Sequence, residues 1–190
     1  MNPYHSLRSS DSTSWSYLFN TLALLALCGS VAEAFYYQLF MNELPCPLCQ
    51  LQRVALTMAG IGMMLNMRFG PSAVHYSIIL ASAIGGAVAS GRQILLHIAP
   101  GDPGYASTLF GLHFYTWGFI SFVIMMIFCA VMLCIDRNNL TLAFKKTVSA
   151  VTTLVMILFL TLSVANTITS VMVCKFGSCP DNPTEYLWKF

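Results

Sequence analysis

Residues 147–173 read TVSAVTTLVMILFLTLSVANTITSVMV, without one Asp, Glu, Lys or Arg. A bilayer hydrocarbon core about 30 Å thick is crossed by about 20 mostly apolar helical residues, so this stretch reads as a membrane-spanning helix. Working outward from it, four more stretches meet the same standard: 15–40, 51–67, 74–98 and 112–135. Stretch 51–67 is the shortest and is expected to recruit Cys49 and Gln50 at its start. The expected fold is therefore an all-α polytopic membrane bundle of five helices. An odd number of spans sends the two ends of the chain to opposite sides of the membrane. The connections are short, so sequence neighbours should pack antiparallel. Gly60, Gly62 and the run ASAIGG at 81–86 mark notches for close helix contacts.

Composition agrees with the span count. Of 190 residues, 57% are hydrophobic and 8% charged, and the mean hydropathy is +0.71. Soluble domains carry roughly 25% charged residues, so an ordinary globular domain is excluded. A net charge of +2 with no basic cluster excludes a nucleic-acid partner. Residues 1–14 are polar and read as a short tail. The apolar stretch after them is too long for the core of a cleavable signal, so no leader is expected. Arg8, Arg68, Arg137, Lys145 and Lys146 fall on one side of the five spans, which the distribution of basic residues assigns to the cytoplasm. The opposite side receives loop 41–50, loop 99–111 and tail 174–190. Lys175 and Lys189 lie there, with Arg53 and Arg92 near helix ends.

Four of the seven cysteines lie in short polar segments on that opposite side. Disulfides persist in the periplasm or outside the cell and are rare in the cytosol, so the paired cysteines are expected in an oxidising compartment. The first pair sits in Pro45-Cys46-Pro47-Leu48-Cys49-Gln50-Leu51-Gln52-Arg53. Pro is favoured at the first helical position, which lets Pro47 open the second helix with Cys46 near its N-cap. The positive end of the helix favours the thiolate form there. Cys49 and Arg53 are four apart and share a helical face, so Arg53 can stabilise a Cys49 thiolate or an anionic acceptor beside it. A plain disulfide bracing the loop, with Arg53 reaching toward lipid headgroups, stays open as a reading. A structural zinc site needs four ligands and is not expected, and no metal is assigned.

The second pair, Cys174 and Cys179, is separated by Lys-Phe-Gly-Ser, and Gly177 can supply a tight turn. It reads equally as a staple for the tail or as a redox relay. Exchange requires direct sulfur contact through a mixed disulfide, so a relay needs the tail to reach the first loop. Cys28, Cys129 and Cys134 lie in apolar helices, behave as small hydrophobes, and are assigned no function. Arg92, Gln93 and His97 lie toward the outer end of the third helix. Polar groups within a membrane are costly and often functional. Arg92 and Gln93 can offer donors to the carbonyls of a quinone headgroup, and His97 can shuttle a proton. Glu33 is open between an ion pair with Arg92 and a protonated carboxyl. His113 and the aromatic residues at 35–37 and 114–117 read as interfacial anchors.

The string from Cys46 to Arg53 between the first two spans, with Gly91-Arg92-Gln93 near the end of the third, resembles the bacterial disulfide bond formation protein B (DsbB) family over about residues 15–135. The resemblance implies a quinone-dependent oxidase of the bacterial inner membrane, using ubiquinone or menaquinone. It also implies a periplasmic thioredoxin-like partner of the DsbA type, whose dithiol it reoxidises. Cys49 would then meet the quinone beside Arg53, with Arg92 and His97 as further quinone-site residues, the N-terminus cytoplasmic and the C-terminus periplasmic. Better-known members carry a second cysteine pair between helices three and four. Loop 99–111 here has none, and the chain has a fifth span and a C-terminal pair instead. The domain layout expected is a tail at 1–14, a DsbB-like bundle at 15–135, a cytoplasmic loop at 136–146, a fifth span at 147–173 and a periplasmic tail at 174–190. On this layout Cys174–Cys179 takes the place of the absent loop pair, and electrons run from partner to Cys174–Cys179, to Cys46–Cys49, to quinone. Direct reduction of Cys46–Cys49 by the partner is the competing version. A reductase running the same bundle in reverse and a scaffold with purely structural disulfides are the alternatives.

Overall fold

The computed structural model describes residues 3–137, 140, 149–175, 177, 179–180 and 183–188, with side chains from residue 15 onward. Among these residues five helices follow in order: α1 Pro3–Phe40, α2 Pro47–Phe69, α3 Ala73–Leu96, α4 Phe114–Asp136 and α5 Ala150–Cys174. All five are long and apolar enough to cross a membrane, α1 over Trp15–Phe40. The backbone of 3–14 continues α1, where a separate tail was expected. Lys145, Lys146 and the first two residues expected in the fifth span, together with most of loop 136–146, lie outside the described residues.

Local chemistry sets the helix ends. Cys46 caps α2 with Pro47 following it, and Gly70, at φ +95°, closes that helix. Ser72 caps α3 by accepting from the Val74 amide. Ser149 caps α5 by accepting from the Thr152 amide. The segment between α3 and α4 holds a two-stranded antiparallel hairpin, β1 Thr108–Leu109 and β2 Leu112–His113. Its two-residue turn, Phe110-Gly111, has both residues at positive φ, as a type I′ hairpin turn requires. This turn takes Leu112 and His113 into the hairpin, so α4 starts at Phe114 rather than at 112.

Each helix packs against its sequence neighbour from α1 to α4, and α5 lies against α1 and α2. The notches expected at Gly60, Gly62 and Gly86 are occupied. A Cβ at Gly60 would lie 2.3 Å from the Phe159 ring of α5, one at Gly86 2.2 Å from the Phe122 ring of α4, and one at Gly62 2.5 Å from Ile79 of α3. Leu24, Met63, Tyr76, Ile79, Phe122 and Phe159 form the sealed centre. Val88, Leu95, Ile124, Val151 and Leu154 are exposed, which suits lipid rather than water.

The bundle has two polar ends. At one, Asp136 at the end of α4 accepts from Ser16 of α1 and Tyr76 of α3, both at 2.7 Å. Asn20 of α1 donates to the Tyr76 hydroxyl and accepts from Asn66 of α2. At the other end Gln38 of α1, Gln50 and Arg53 of α2, Gln93 of α3, Phe114 of α4 and Ser170 of α5 converge with both cysteine pairs.

Candidate redox site

The first turn of α2 builds the centre of the site. Cys46 and Cys49 form a disulfide with Cα atoms 4.9 Å apart, and the Cys46 sulfur accepts from the Cys49 amide at 3.1 Å. A disulfide sulfur thus also serves as the helix cap, because the cap position places it against the free amides of the first turn. Cys46 is 6% exposed, while Cys49 is half-buried and stands in the wall of a cavity of about 160 Å³. Tyr37, Leu44, Leu56, Phe114, Tyr115 and Trp117 supply most of the apolar wall, and Gln52, Arg53 and Gln93 supply N–H donors.

Gln93 touches both sulfurs. Its Nε2 lies 3.4 Å from Cys46 Sγ and 3.6 Å from Cys49 Sγ. Gln52 donates to Gln93 Oε1 at 2.7 Å, which commits the carbonyl and leaves the NH2 group facing sulfur. Arg53 shares its face with Cys49, as the four-residue spacing predicts. It is buried, donating from Nη1 to Gln38 Oε1 at 2.6 Å and from Nη2 to the Ala34 carbonyl at 3.2 Å. Its guanidinium also lies 5.7 Å from the Phe35 ring centroid. Both acceptors are neutral, so the charge is oriented without being cancelled.

Arg92 and His97 do not line the cavity. Arg92 is exposed, one helical step from the inward-facing Gln93. A guanidinium near a helix end reaches outward easily, whereas the amide of Gln93 is buried with its carbonyl and NH2 both engaged. His97 caps the end of α3 and meets Asp102 at 3.1 Å. It reaches the cavity only by stacking on Tyr115, 5.7 Å between ring centroids. The Gly104 amide and His97 hold the Asp102 carboxyl below its usual range. Glu33 does line the cavity.

Two loops cover the pair. The Glu43 carboxylate accepts from the Ser107 amide and hydroxyl, and the Tyr105 hydroxyl donates to the Leu44 carbonyl. Burial, then the Glu43 charge, push the Tyr105 phenol up. Cys174 and Cys179 form the second disulfide, with Cα atoms 4.4 Å apart and both residues half-buried. Sequence reading passed over Gln38, Gln52, Glu43 and Tyr186. For Gln38 a signal existed, an uncharged polar residue among the apolar and aromatic positions closing the first span. For the other three, nothing in local spacing distinguishes them.

Residues 16–107 match the family model described as disulfide bond formation protein DsbB. The chain is 35% identical over 79 residues to disulfide bond formation protein B of Nitrosomonas eutropha, covering 40% of this chain and 49% of that one. Against the protein of the same name from Marinobacter nauticus it is 35% identical over 85 residues, 43% and 51% of the two chains. With disulfide bond formation protein B 1 of Pseudomonas savastanoi pv. phaseolicola it shares 40% identity over 82 residues, 41% and 46% of the two. The chain spans about half the length of the curated relatives it matches. No solved structure matches it. The matched segment holds Gln38, Cys46, Cys49, Arg53 and Gln93, and it ends before α4, α5 and the tail.

Proposed function

Because residues 16–107 match the disulfide bond formation protein DsbB family, we propose that this multi-span membrane protein is a dithiol oxidase coupled to a respiratory quinone. It acts in the bacterial inner membrane, with the end that carries both disulfides facing the periplasm. The observation that carries this reading is the position of Cys49 in the wall of a largely apolar cavity whose donors are Arg53, Gln52 and Gln93. A flat ring bearing carbonyl oxygens suits those walls and those donors, so the residues present fit a quinone headgroup. When bound, a quinone, ubiquinone or menaquinone, supplies a sink for two electrons and two protons.

The chain's own part follows from its geometry. A thiolate of the reduced partner, a periplasmic thioredoxin-like protein of the DsbA type, attacks a disulfide sulfur, and the S–S bond breaks as the mixed disulfide forms. The partner's second thiolate then displaces the first, leaving the partner oxidised and two electrons on the protein's sulfurs. Within Cys46–Cys49, the Gln93 NH2 group stabilises negative charge on either sulfur. Arg53 holds positive charge beside Cys49, where the electron pair leaves toward the cavity. In sum, partner dithiol and quinone give partner disulfide and quinol, with both protons accounted for.

The test is quinone reduction by the purified protein, with a reduced DsbA-type protein as donor. Turnover that needs both proteins and is abolished by Cys49→Ala is the expected result. Absence of turnover with ubiquinone and menaquinone analogues alike, from folded protein with both disulfides intact, overturns the oxidase.

A further inference from the structure

We propose that the C-terminal tail completes the redox site, with Tyr186 as a positioning residue that fixes the Arg53 guanidinium through Gln38. The inference rests on the oxidase reading for its functional consequence, though not for its geometry. Gln38 is 1% exposed and bridges two partners. Its Oε1 accepts from Arg53 at 2.6 Å, and its Nε2 donates to the Tyr186 hydroxyl at 3.1 Å.

An amide has one acceptor end and one donor end. Arg53 only donates, so the acceptor end must face it, and the donor end is left for the Tyr186 hydroxyl. Without the Tyr186 hydroxyl, the Gln38 NH2 group is buried and unpaired, an arrangement proteins avoid. Rotating the amide to relieve it would aim a donor at a cation. The hydroxyl therefore completes the one Gln38 orientation that holds Arg53, by accepting from the NH2 group that this orientation turns away from the guanidinium.

The tail is itself anchored to deliver that hydroxyl. The Trp188 amide donates to the Met172 carbonyl of α5 at 3.1 Å, and the Cys174–Cys179 disulfide closes the turn that follows α5. Ser170 donates to Gln50 at 2.7 Å. The C-terminal part of the chain thus reaches two residues of the turn that follows Cys49, Gln50 directly and Arg53 through Gln38. Gln38 and Arg53 lie within the family-matched segment, while Ser170 and Tyr186 lie outside it. An element added beyond the matched bundle has become part of its centre.

Tyr186→Phe removes only the hydroxyl and tests this in the full-length protein with two readouts. The first is the quinone KM beside the donor KM. The quinone KM is expected to rise about five-fold, as for loss of one neutral hydrogen bond, with the donor KM unchanged. The second is the rate at which phenylglyoxal modifies Arg53, followed by mass spectrometry of the peptide that contains it, and it is expected to rise in the variant. Parental quinone KM and parental Arg53 reactivity together overturn the inference while leaving the oxidase intact. If the parent protein reduces no quinone, the oxidase reading fails alone. The Arg53 reactivity then decides the tail's role: faster modification in Tyr186→Phe upholds it, and an unchanged rate overturns it.

Discussion

Gln93 has one carbonyl and one NH2 group, and Gln52 occupies the carbonyl at 2.7 Å, so the NH2 is committed to the sulfurs at 3.4 and 3.6 Å. A neutral disulfide gains little from such a donor, whereas a thiolate gains a charge-assisted hydrogen bond. The amide therefore favours the reduced, ionised form of the pair and makes Cys46–Cys49 a better oxidant. Hydrogen bonds to charged groups contribute about 1.5–3 kcal/mol. Gln93→Leu should thus shift the thiol–disulfide equilibrium toward the disulfide by at least about ten-fold, or about 30 mV for a two-electron couple. Titrating the pair against thiol redox buffers measures this, and an unchanged potential would show that the amide serves only packing. The role was half legible in the sequence. Gln93 was singled out as a donor facing a quinone, and its contact with the sulfurs was not foreseen, because spacing along α3 gives its face and not what α2 places opposite it. Arg92 stood beside it in the same reading and points away, a difference of one helical step.

At the scale of elements, α5 is held to the bundle by a ring fitted into a notch. Phe159 is 2% exposed, and a Cβ at Gly60 would lie 2.3–2.5 Å from its Cε2 and Cζ atoms. Gly60→Ala should overpack this contact and cost about 1–3 kcal/mol. Phe159→Leu in the same chain should recover part of that loss, since residues in contact couple rather than add. Gly85→Ala is the control, because nothing lies within 4 Å of a Cβ there. Unfolding in detergent for the three variants measures both effects, and equal behaviour of Gly60→Ala and Gly85→Ala would show that the notch is not a contact. Sequence marked Gly60 and Gly62 as close-approach sites, yet it treated 81–86 as one run. Of the two glycines in that run, Gly86 meets a ring, whereas nothing lies within 4 Å of a Cβ at Gly85. The span count was legible for a simple reason, that lipid demands long apolar helices. Their ends were less so. Apolarity alone starts the second span at 51, and it was residue type, the Cys46 cap and Pro47, that placed the start of α2 correctly; at α4 no such signal was read, and the Phe110-Gly111 turn draws Leu112 and His113 out of the helix.

Across the whole molecule, the end opposite the disulfides is tied by Asp136, Tyr76, Ser16, Asn20 and Asn66, while the redox end keeps a cavity beneath two loops. The ties that make five helices one site join residues far apart in the chain, Gln38 with Tyr186 and Gln50 with Ser170. No spacing pattern in the sequence can show such pairs. Their arrangement bears on which disulfide meets the partner. Cys46 is 6% exposed, and the segment just before it is tied to the 105–107 loop by the Glu43–Ser107 and Leu44–Tyr105 contacts, so a folded partner has poor access to its sulfur. Cys174 and Cys179 are half-buried at the same end. If the tail pair relays electrons, replacing both by Ser should stop quinone reduction driven by a DsbA-type protein. Reduction driven by a small dithiol such as dithiothreitol should persist, because that reagent can enter where a protein cannot. If the pair is only a staple, partner-driven turnover at saturating quinone should survive. The damage should then appear as a raised quinone KM, because a loosened tail no longer delivers the Tyr186 hydroxyl to Gln38. Steady-state kinetics with the two donors separate these cases. Parental kinetics for both donors and for quinone would remove the relay and the staple together, leaving direct reduction of Cys46–Cys49 once the covering loops open.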